Sequence, residues 1–276
     1  MTTVKCPTKV AILMAAYNGE FFIADQIDSI INQDCNDWTL YIRDDGSKDK
    51  TTVIIDKYVK LYPNIIRITD IKTNGGLTEN FLSLLKTVHS RYYMFADQDD
   101  IWDKNKVSLS LSEIESINST FIGPILIGSH YLACDHQMQP ICPSFWNTHF
   151  GYEKMLNYNI SAVQCAMAGA DMIFNDALKQ LIFTLPSNRL YYDHWVLLVA
   201  LKHKAYVGVI PKMLRRYRQH ESNVIGANIG KHNTRKQINR FFADYGLLQE
   251  IEFGSLIKYL YYRIKAIIMV KTAKKI

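Results

Sequence analysis

Four short apolar runs, at residues 10–15, 39–43, 65–69 and 92–96, alternate with longer helical periods along the first half of the chain. Each run has strand length. Between them Ile23, Ile27, Ile30 and Ile31 fall on one helical face that ends near Gln33, and Val53, Ile54, Tyr58 and Leu61 mark a helix that stops before Pro63. A turn at Gly75-Gly76 precedes a third stripe, Leu77, Phe81, Leu84, Leu85 and Val88, and a further helix is predicted over 104–117. Strands alternating with helices predict right-handed crossovers and a largely parallel sheet covered on both faces. Ligands bind such sheets beyond the carboxyl ends of the strands. Three polar or aromatic clusters sit there: Ala15-Ala16-Tyr17, Asp44-Asp45 and Asp97-Gln98-Asp99-Asp100.

The second half is less regular. Strands are predicted at 125–131, 170–174 and 205–210, a turn at Asp135-His136 and a helix after Asp193, without obvious crossover helices between the strands. This predicts a mixed sheet completing one α/β domain over residues 1–225, with halves at about 8–120 and 121–225. Residues 226–276 form an appendage: a mobile loop at Gly226 and Gly230, then helices from about Arg235.

Charge separates the same two parts. The net +6 comes entirely from residues 254–276, which hold Lys258, Arg263, Lys265, Lys271, Lys274 and Lys275 and no acid; residues 1–253 balance. A neutral body argues against nucleic acid as a partner. The five cysteines (Cys6, Cys35, Cys134, Cys142, Cys165) lack metal-ligand spacing and read as free thiols in a reducing compartment. The first apolar run is too short to span a bilayer and no cleavage-site pattern follows it, which predicts a cytoplasmic protein.

The acid run at 97–100 is the strongest chemical signal. Two carboxylates about 4 Å apart repel by roughly 4 kcal/mol at an effective dielectric of about 20, so three at one strand end call for protons or a cation. Hard oxygen ligands suit Mg²⁺ or Mn²⁺, and those ions suit a diphosphate. The alternative is a turn in which Asp99 or Asp100 caps the helix at 104–117, which accounts for one or two of the three. Asp44-Asp45-Gly46-Ser47 has the same ambiguity, since these residues also suit a tight turn and a helix cap.

Taken in order, Val10-Ala11-Ile12-Leu13-Met14-Ala15-Ala16-Tyr17-Asn18, Ile42-Arg43-Asp44-Asp45-Gly46-Ser47 with Asp49 and Thr51, and Asp97-Gln98-Asp99-Asp100-Ile101-Trp102 resemble the family 2 glycosyltransferases over roughly residues 8–225. Ala96, Asp193-His194-Trp195 and Tyr217-Arg218-Gln219-His220-Glu221-Ser222-Asn223 narrow the likeness to bacterial rhamnosyltransferase-like enzymes of surface polysaccharide assembly. The resemblance implies a GT-A fold, with a Rossmann-like nucleotide-binding half and an acceptor half, and a nucleotide-diphosphate sugar donor. It implies that Asp45, with Asp44 beside it, accepts from the N3 of uracil or thymine, and that Ala15 and Tyr17 flank the base. Asp97, Asp99 and Asp100 become the DxD-type site: Asp99 is the first choice for a metal ligand, Asp100 is interchangeable with it, and Asp97 takes a ribose or outer contact. His220 completes the metal or phosphate site, and Arg215, Arg216 and Arg218 form a cationic cluster for the diphosphate. The cofactor implied is Mn²⁺ or Mg²⁺.

Asp193 is the expected base of an inverting transfer, with His194 as runner-up. Asp193 could instead simply cap its helix. Tyr191, Tyr192 and Trp195 suit either sugar stacking or a core. The segment 165–172 is similar to the family's acceptor side: Gly169 would admit a sugar close to the backbone, and Asp171 either bonds the acceptor or sits in a turn. The tail interleaves Leu256, Ile257, Leu260, Tyr261, Ile264, Ile267 and Ile268 with its six cations, the pattern of a helix lying on an anionic membrane. That predicts a peripheral protein on the inner face of the cell membrane with a lipid-linked glycan acceptor. The plainer reading packs the tail on the domain or on a second subunit as a homodimer. The expected activity is transfer from a UDP- or dTDP-sugar, dTDP-rhamnose by family likeness; the rival is a non-catalytic nucleotide-sugar-binding scaffold at the membrane.

Overall fold

The computed structural model describes residues 4–69, 75–143, 156–183, 191–220 and 253–273. Strands β1 (Val4–Lys5) and β5 (Val88–His89) pair in a small parallel ribbon; all the others join one mixed sheet. Its parallel part contains β2 (Val10–Ala16), β3 (Trp38–Asp44), β4 (Ile65–Arg67) and β6 (Tyr92–Asp97), in the order β4-β3-β2-β6. Beyond β6 come β10 (Ile173–Asn175), β8 (Ile125–Cys134), β11 (Tyr206–Arg218) and the two-residue β7 (Ile101–Trp102); β9 (Pro140–Pro143) pairs with β8. Strand β10 runs antiparallel to both neighbours, β11 parallel to β8, and β7 antiparallel to β11.

Helices cover both faces, which is why the central strands read as unbroken apolar runs rather than alternating ones. Ala11, Leu13 and Ala15 of β2 join one core with α3 (Gly76–Thr87), α5 (Tyr158–Val163), α6 (Asp176–Ile182), α7 (Tyr192–Lys202) and α8 (Leu256–Ala273). Val10, Ile12, Met14 and Ala16 face the other core, with α1 (Ile23–Ile31), α2 (Thr51–Leu61) and α4 (Lys106–Asn118). Two helix starts in the second half are capped by asparagine: Asn157 accepts from the Asn159 and Ile160 amides, and Asn175 from Leu178.

Several expectations need correcting. Residues 170–174 are not one strand: a 3₁₀ turn, Gly169–Asp171, precedes β10. The last strand continues eight residues past Ile210, and the helices α5 and α6, whose short stripes the periodicity does not mark, lie between β8 and β11. Neither Asp99 nor Asp100 caps α4, because β7 intervenes and pairs with β11. Gly226, Gly230, Glu221, Ser222, Asn223 and the helical reading from Arg235 to residue 252 lie outside the described residues. Cys6, Cys35, Cys134 and Cys165 are free thiols. Among the described residues, no helix is long and apolar enough to cross a membrane.

Candidate active site

The strand ends place the three sequence clusters side by side. Ala15 pairs in register with Arg43 of β3 and with Asp97 of β6, and Ala16 with Asp44. Just beyond β2, Gln98 clips the exposed Tyr17: its Oε1 accepts from the Tyr17 amide at 2.9 Å and its Nε2 donates to the Tyr17 carbonyl at 2.8 Å. A Cβ on Gly19 would lie 2.2 Å from that Oε1, so the clip needs glycine there. Asn18, in the left-handed region at φ 47°, and Gly19 donate to Ser47 and Thr51, which stitches this loop to the one after β3.

The two acids at the end of β3 already have intramolecular partners. Asp44 accepts from the Gly46 and Ser47 amides and from the Ser47 hydroxyl, a tight turn. Asp45 is buried, accepts from the Gly76 amide at 2.8 Å and the Gly75 amide at 3.2 Å, and lies 3.4 Å from Arg43 Nη1. Its carboxylate thus stands at the positive start of α3.

At the end of β6 the three aspartates diverge. Asp97 accepts from the Tyr192 hydroxyl at 3.4 Å. Burial, then the charges of Asp100, Asp99 and Asp193, push its carboxyl well above the usual carboxylate range. Asp99 Oδ2 lies 2.9 Å from His220 Nε2, and the imidazole stacks on Phe22 with ring centroids 4.5 Å apart. Asp100 is fully buried; its Oδ2 accepts from Arg215 Nη1 at 2.6 Å and its Oδ1 from the Arg218 amide at 3.3 Å. Arg215 also forks onto Asp171 at 2.7 and 2.8 Å. Burial works against the Arg215 charge, but Asp100 and Asp171 outweigh it.

Asp193 opens α7, where its Oδ1 accepts from the His194 amide at 2.7 Å. Burial lifts its carboxyl to about 6, against the opposing pull of the His194 and Gly169 backbone amides. A Cβ on Gly169 would lie 2.3 Å from the Tyr192 ring, so glycine there lets Tyr192 reach Asp97. The Asp193 charge, from the second half of the chain, reaches Asp97 and adds to the rise of its carboxyl, and both carboxyls are raised above the ordinary range. Paired carboxylates of this kind are matched to proton transfer.

A model of the family described as glycosyl transferase family 2 matches residues 11–181. A dTDP-rhamnosyl transferase of Shigella flexneri, RfbG, is 31% identical over 78% of this chain and 74% of its own. The chain belongs to glycosyl transferase family 2. A second relative, the Escherichia coli UDP-Glc:alpha-D-GlcNAc-diphosphoundecaprenol beta-1,3-glucosyltransferase WfgD, is 30% identical over 41% of this chain and 44% of its own. Among solved structures, S. aureus TarS 1–349 in complex with UDP-GlcNAc superposes with a TM-score of 0.66 at 16% identity, covering 92% of this chain and 69% of that one. A mannosyltransferase of Pyrobaculum calidifontis, in complex with GDP-Man and Mn²⁺, gives 0.57 at 13% identity, over 96% and 74%. These likenesses establish the GT-A fold.

In this family 2 transferase several side chains expected at the substrates are committed elsewhere. Asp100 and Asp171 are both buried against Arg215, which bridges them and leaves Asp100 no open side toward a cation and Asp171 none toward an acceptor. Arg218 donates to Asp25, to the His136 carbonyl and to the Asp99 carbonyl while stacking over Phe22, so it braces the acidic loop rather than facing a phosphate. Arg216 turns outward, 3.8 Å from Asp103. Trp195 is buried and its indole donates to the Ile182 carbonyl, a core role. The His194 ring meets the Ser161 carbonyl of α5. Tyr192, expected to stack on a sugar or pack in a core, is buried and donates to Asp97, while Gln98, Phe22 and Asp25 are participants to which the sequence assigned no role. Of these, Gln98 carried a signal, its place inside the acid run.

Among the described residues no group of three or more His, Cys, Asp or Glu side chains has metal-binding geometry. The Asp99–His220 pair nonetheless offers a carboxylate and an imidazole side by side, next to the acidic Asp97. That donor set would suit a divalent ion.

Proposed function

We propose that this protein is an inverting, divalent-metal-dependent transferase. It moves a sugar from a UDP- or dTDP-sugar, dTDP-rhamnose first among them, to a hydroxyl of a growing lipid-linked surface polysaccharide at the inner face of the cell membrane. The observation that supports the reading is the buried, raised carboxyl of Asp193 in electrostatic contact with Asp97 of the β6 acid cluster. The activities of the two relatives support the donor class, and the second relative's diphosphoundecaprenol acceptor supports a lipid carrier.

Ala15 and Tyr17 flank the base, and Asp45 accepts from its N3–H, exchanging a backbone amide of the α3 start for the base. A base without that N–H would leave the buried carboxylate unpaired, which sets selectivity for pyrimidines. Asp97 takes the ribose. Asp99 and His220 would hold Mn²⁺ or Mg²⁺, which would supply positive charge against the diphosphate as it leaves. Asp193 takes the acceptor proton as the hydroxyl oxygen bonds to the anomeric carbon. The bond from that carbon to the diphosphate oxygen breaks on the opposite face, so the configuration inverts. A base near 6 is largely ionised at neutral pH yet basic enough to accept that proton.

Asp193→Asn tests this. Transfer should fall by at least about a thousandfold with nucleotide affinity unchanged. Undiminished turnover removes Asp193 as the base. Tight nucleotide binding by the wild type with no diphosphate release, for any donor and lipid acceptor, would establish the scaffold instead.

A further inference from the structure

Helix α8 is apolar on two opposite faces. Tyr259 and Ala266 are buried, and Tyr262 and Met269 pack against the same core. At about 100° per residue these four fall within roughly 80° of the helix circumference. Ile257, Leu260, Tyr261, Ile264, Ile267 and Ile268 fall within about 120° centred on the opposite side. All six are exposed, Ile257 at 80% and Ile264 at 57%. Lys258, Arg263 and Lys265 lie along the two seams between these faces. Lys258 donates to the Phe253 carbonyl at 2.7 Å, and Arg263 contacts the Val163 carbonyl at 3.5 Å and the Tyr259 hydroxyl at 3.3 Å, so the seams also tie the helix to the domain.

We infer that the outward face of α8 docks in the plane of an anionic bilayer and seats the α5 edge of the site against the headgroups. The charge selects this occupant. Residues 254–276 carry six cations and no acid, so a second copy docked through the same segment would bring like charge to like charge, whereas an anionic leaflet complements it. Lys265 is exposed at the seam, its ammonium 6.0 Å from the centroid of the Tyr262 ring, and a long side chain there can swing its charge to headgroup phosphates. Helix α8 packs on α5, and the Ser161 carbonyl of α5 holds the His194 ring, one residue from Asp193. The part of the inference about the α5 edge rests on the transferase reading above; the docking part does not.

The test is co-sedimentation of the full chain with phosphatidylcholine vesicles containing about a third phosphatidylglycerol, with no donor or acceptor present. Binding should occur, weaken between about 0.05 and 0.5 M salt, and fall at least about tenfold in Ile264→Glu and in Ile257→Glu. Both positions are exposed, so an unchanged melting temperature verifies the fold. Wild-type binding that is absent, or unaltered in both variants, overturns the inference. A concentration-dependent dimer abolished by Ile264→Glu, without vesicle binding, assigns the face to a second copy and equally overturns it. With a lipid-linked acceptor in vesicles, Ile264→Glu should raise KM at least about tenfold at near-constant kcat, while transfer to a water-soluble acceptor stays unchanged. Equal effects on both acceptors refute the placement of the α5 edge. Vesicle binding without any transfer would leave docking standing and fail the transferase reading alone.

Discussion

Replacing Asp193 by asparagine should make the protein more stable while making it inactive, and the gain should depend on pH in a defined direction. Burial raises the Asp193 carboxyl from 3.8 to about 6. A carboxyl whose value in the fold exceeds its unfolded value binds more protons in the fold between the two, so stability falls as pH rises from about 4 to about 6, and the whole loss is present above that. At about 1.4 kcal/mol per pH unit the interval corresponds to about 3 kcal/mol. Asparagine keeps one backbone acceptor contact and loses the charge assistance of the other, which offsets about 1 kcal/mol. Asp97, Cys165, Tyr192, His194 and Arg215 also face or adjoin this group, and all stay in place in the variant. The expected net gain is about 1–2 kcal/mol at pH 8, or a rise in Tm of roughly 2–6 °C, shrinking to nothing or reversing near pH 4. Thermal unfolding of both proteins at half-unit steps from pH 4 to 8 measures it. A variant less stable than the wild type at pH 8, or a gap that does not change with pH, would refute the claim that the fold holds an ionised Asp193 at a cost.

Arg215→Met leaves Asp100 and Asp171 buried without their cation and should destabilise by about 3–5 kcal/mol in urea unfolding; a loss below about 1 kcal/mol contradicts the clamp. Arg215→Lys should recover less than half of that, because one ammonium cannot reproduce the fork onto both acids. Gln98→Ala should weaken nucleotide binding about fivefold by freeing Tyr17, and adding Gly19→Ala should cost almost nothing more, since the two changes break one clip; additive losses by calorimetry would mean the clip is not the shared cause. His220→Ala should raise the Mn²⁺ concentration for half-maximal transfer by at least about tenfold, and an unaltered metal titration would move the metal from Asp99 and His220 to other donors.

The parallel strands were readable because burial on both faces leaves no polar interruption: Tyr92 through Ala96 are all buried, and the run could only be a central strand. The loops at their ends were readable because acids next to such a run stand out. The late part of β11 was not. Pro211, Lys212, Arg215 and Arg216 have the composition of a surface loop, yet register shifts between Ile210 and Met213 and between Met213 and Arg215 turn Arg215 and Arg218 inward and leave Arg216 outside. A buried arginine breaks the polar-out rule, and only its two distant partners, Asp100 and Asp171, explain it. Trp195 misled for the converse reason. Tyr192 and every residue from Trp195 to Ala200 are buried, so α7 has no amphipathic stripe to separate packing aromatics from those that would meet a sugar.

The two-residue pairing of β7 with β11 has a consequence for how this chain is made. Arg215 emerges from the ribosome more than a hundred residues after Asp100. In that interval a nascent chain can assemble β2, β3, β4 and β6 and, once residue 175 is made, cover β6 with β10, but Asp100 and Asp171 still lack their guanidinium and β8 lacks β11. The open edge of β8 beside uncompensated buried acids is exposed to misassembly until synthesis reaches β11. Chains arrested just before Arg215 should therefore be far more sensitive to protease and chaperone-dependent than chains arrested after residue 220, although both contain every strand of the parallel part.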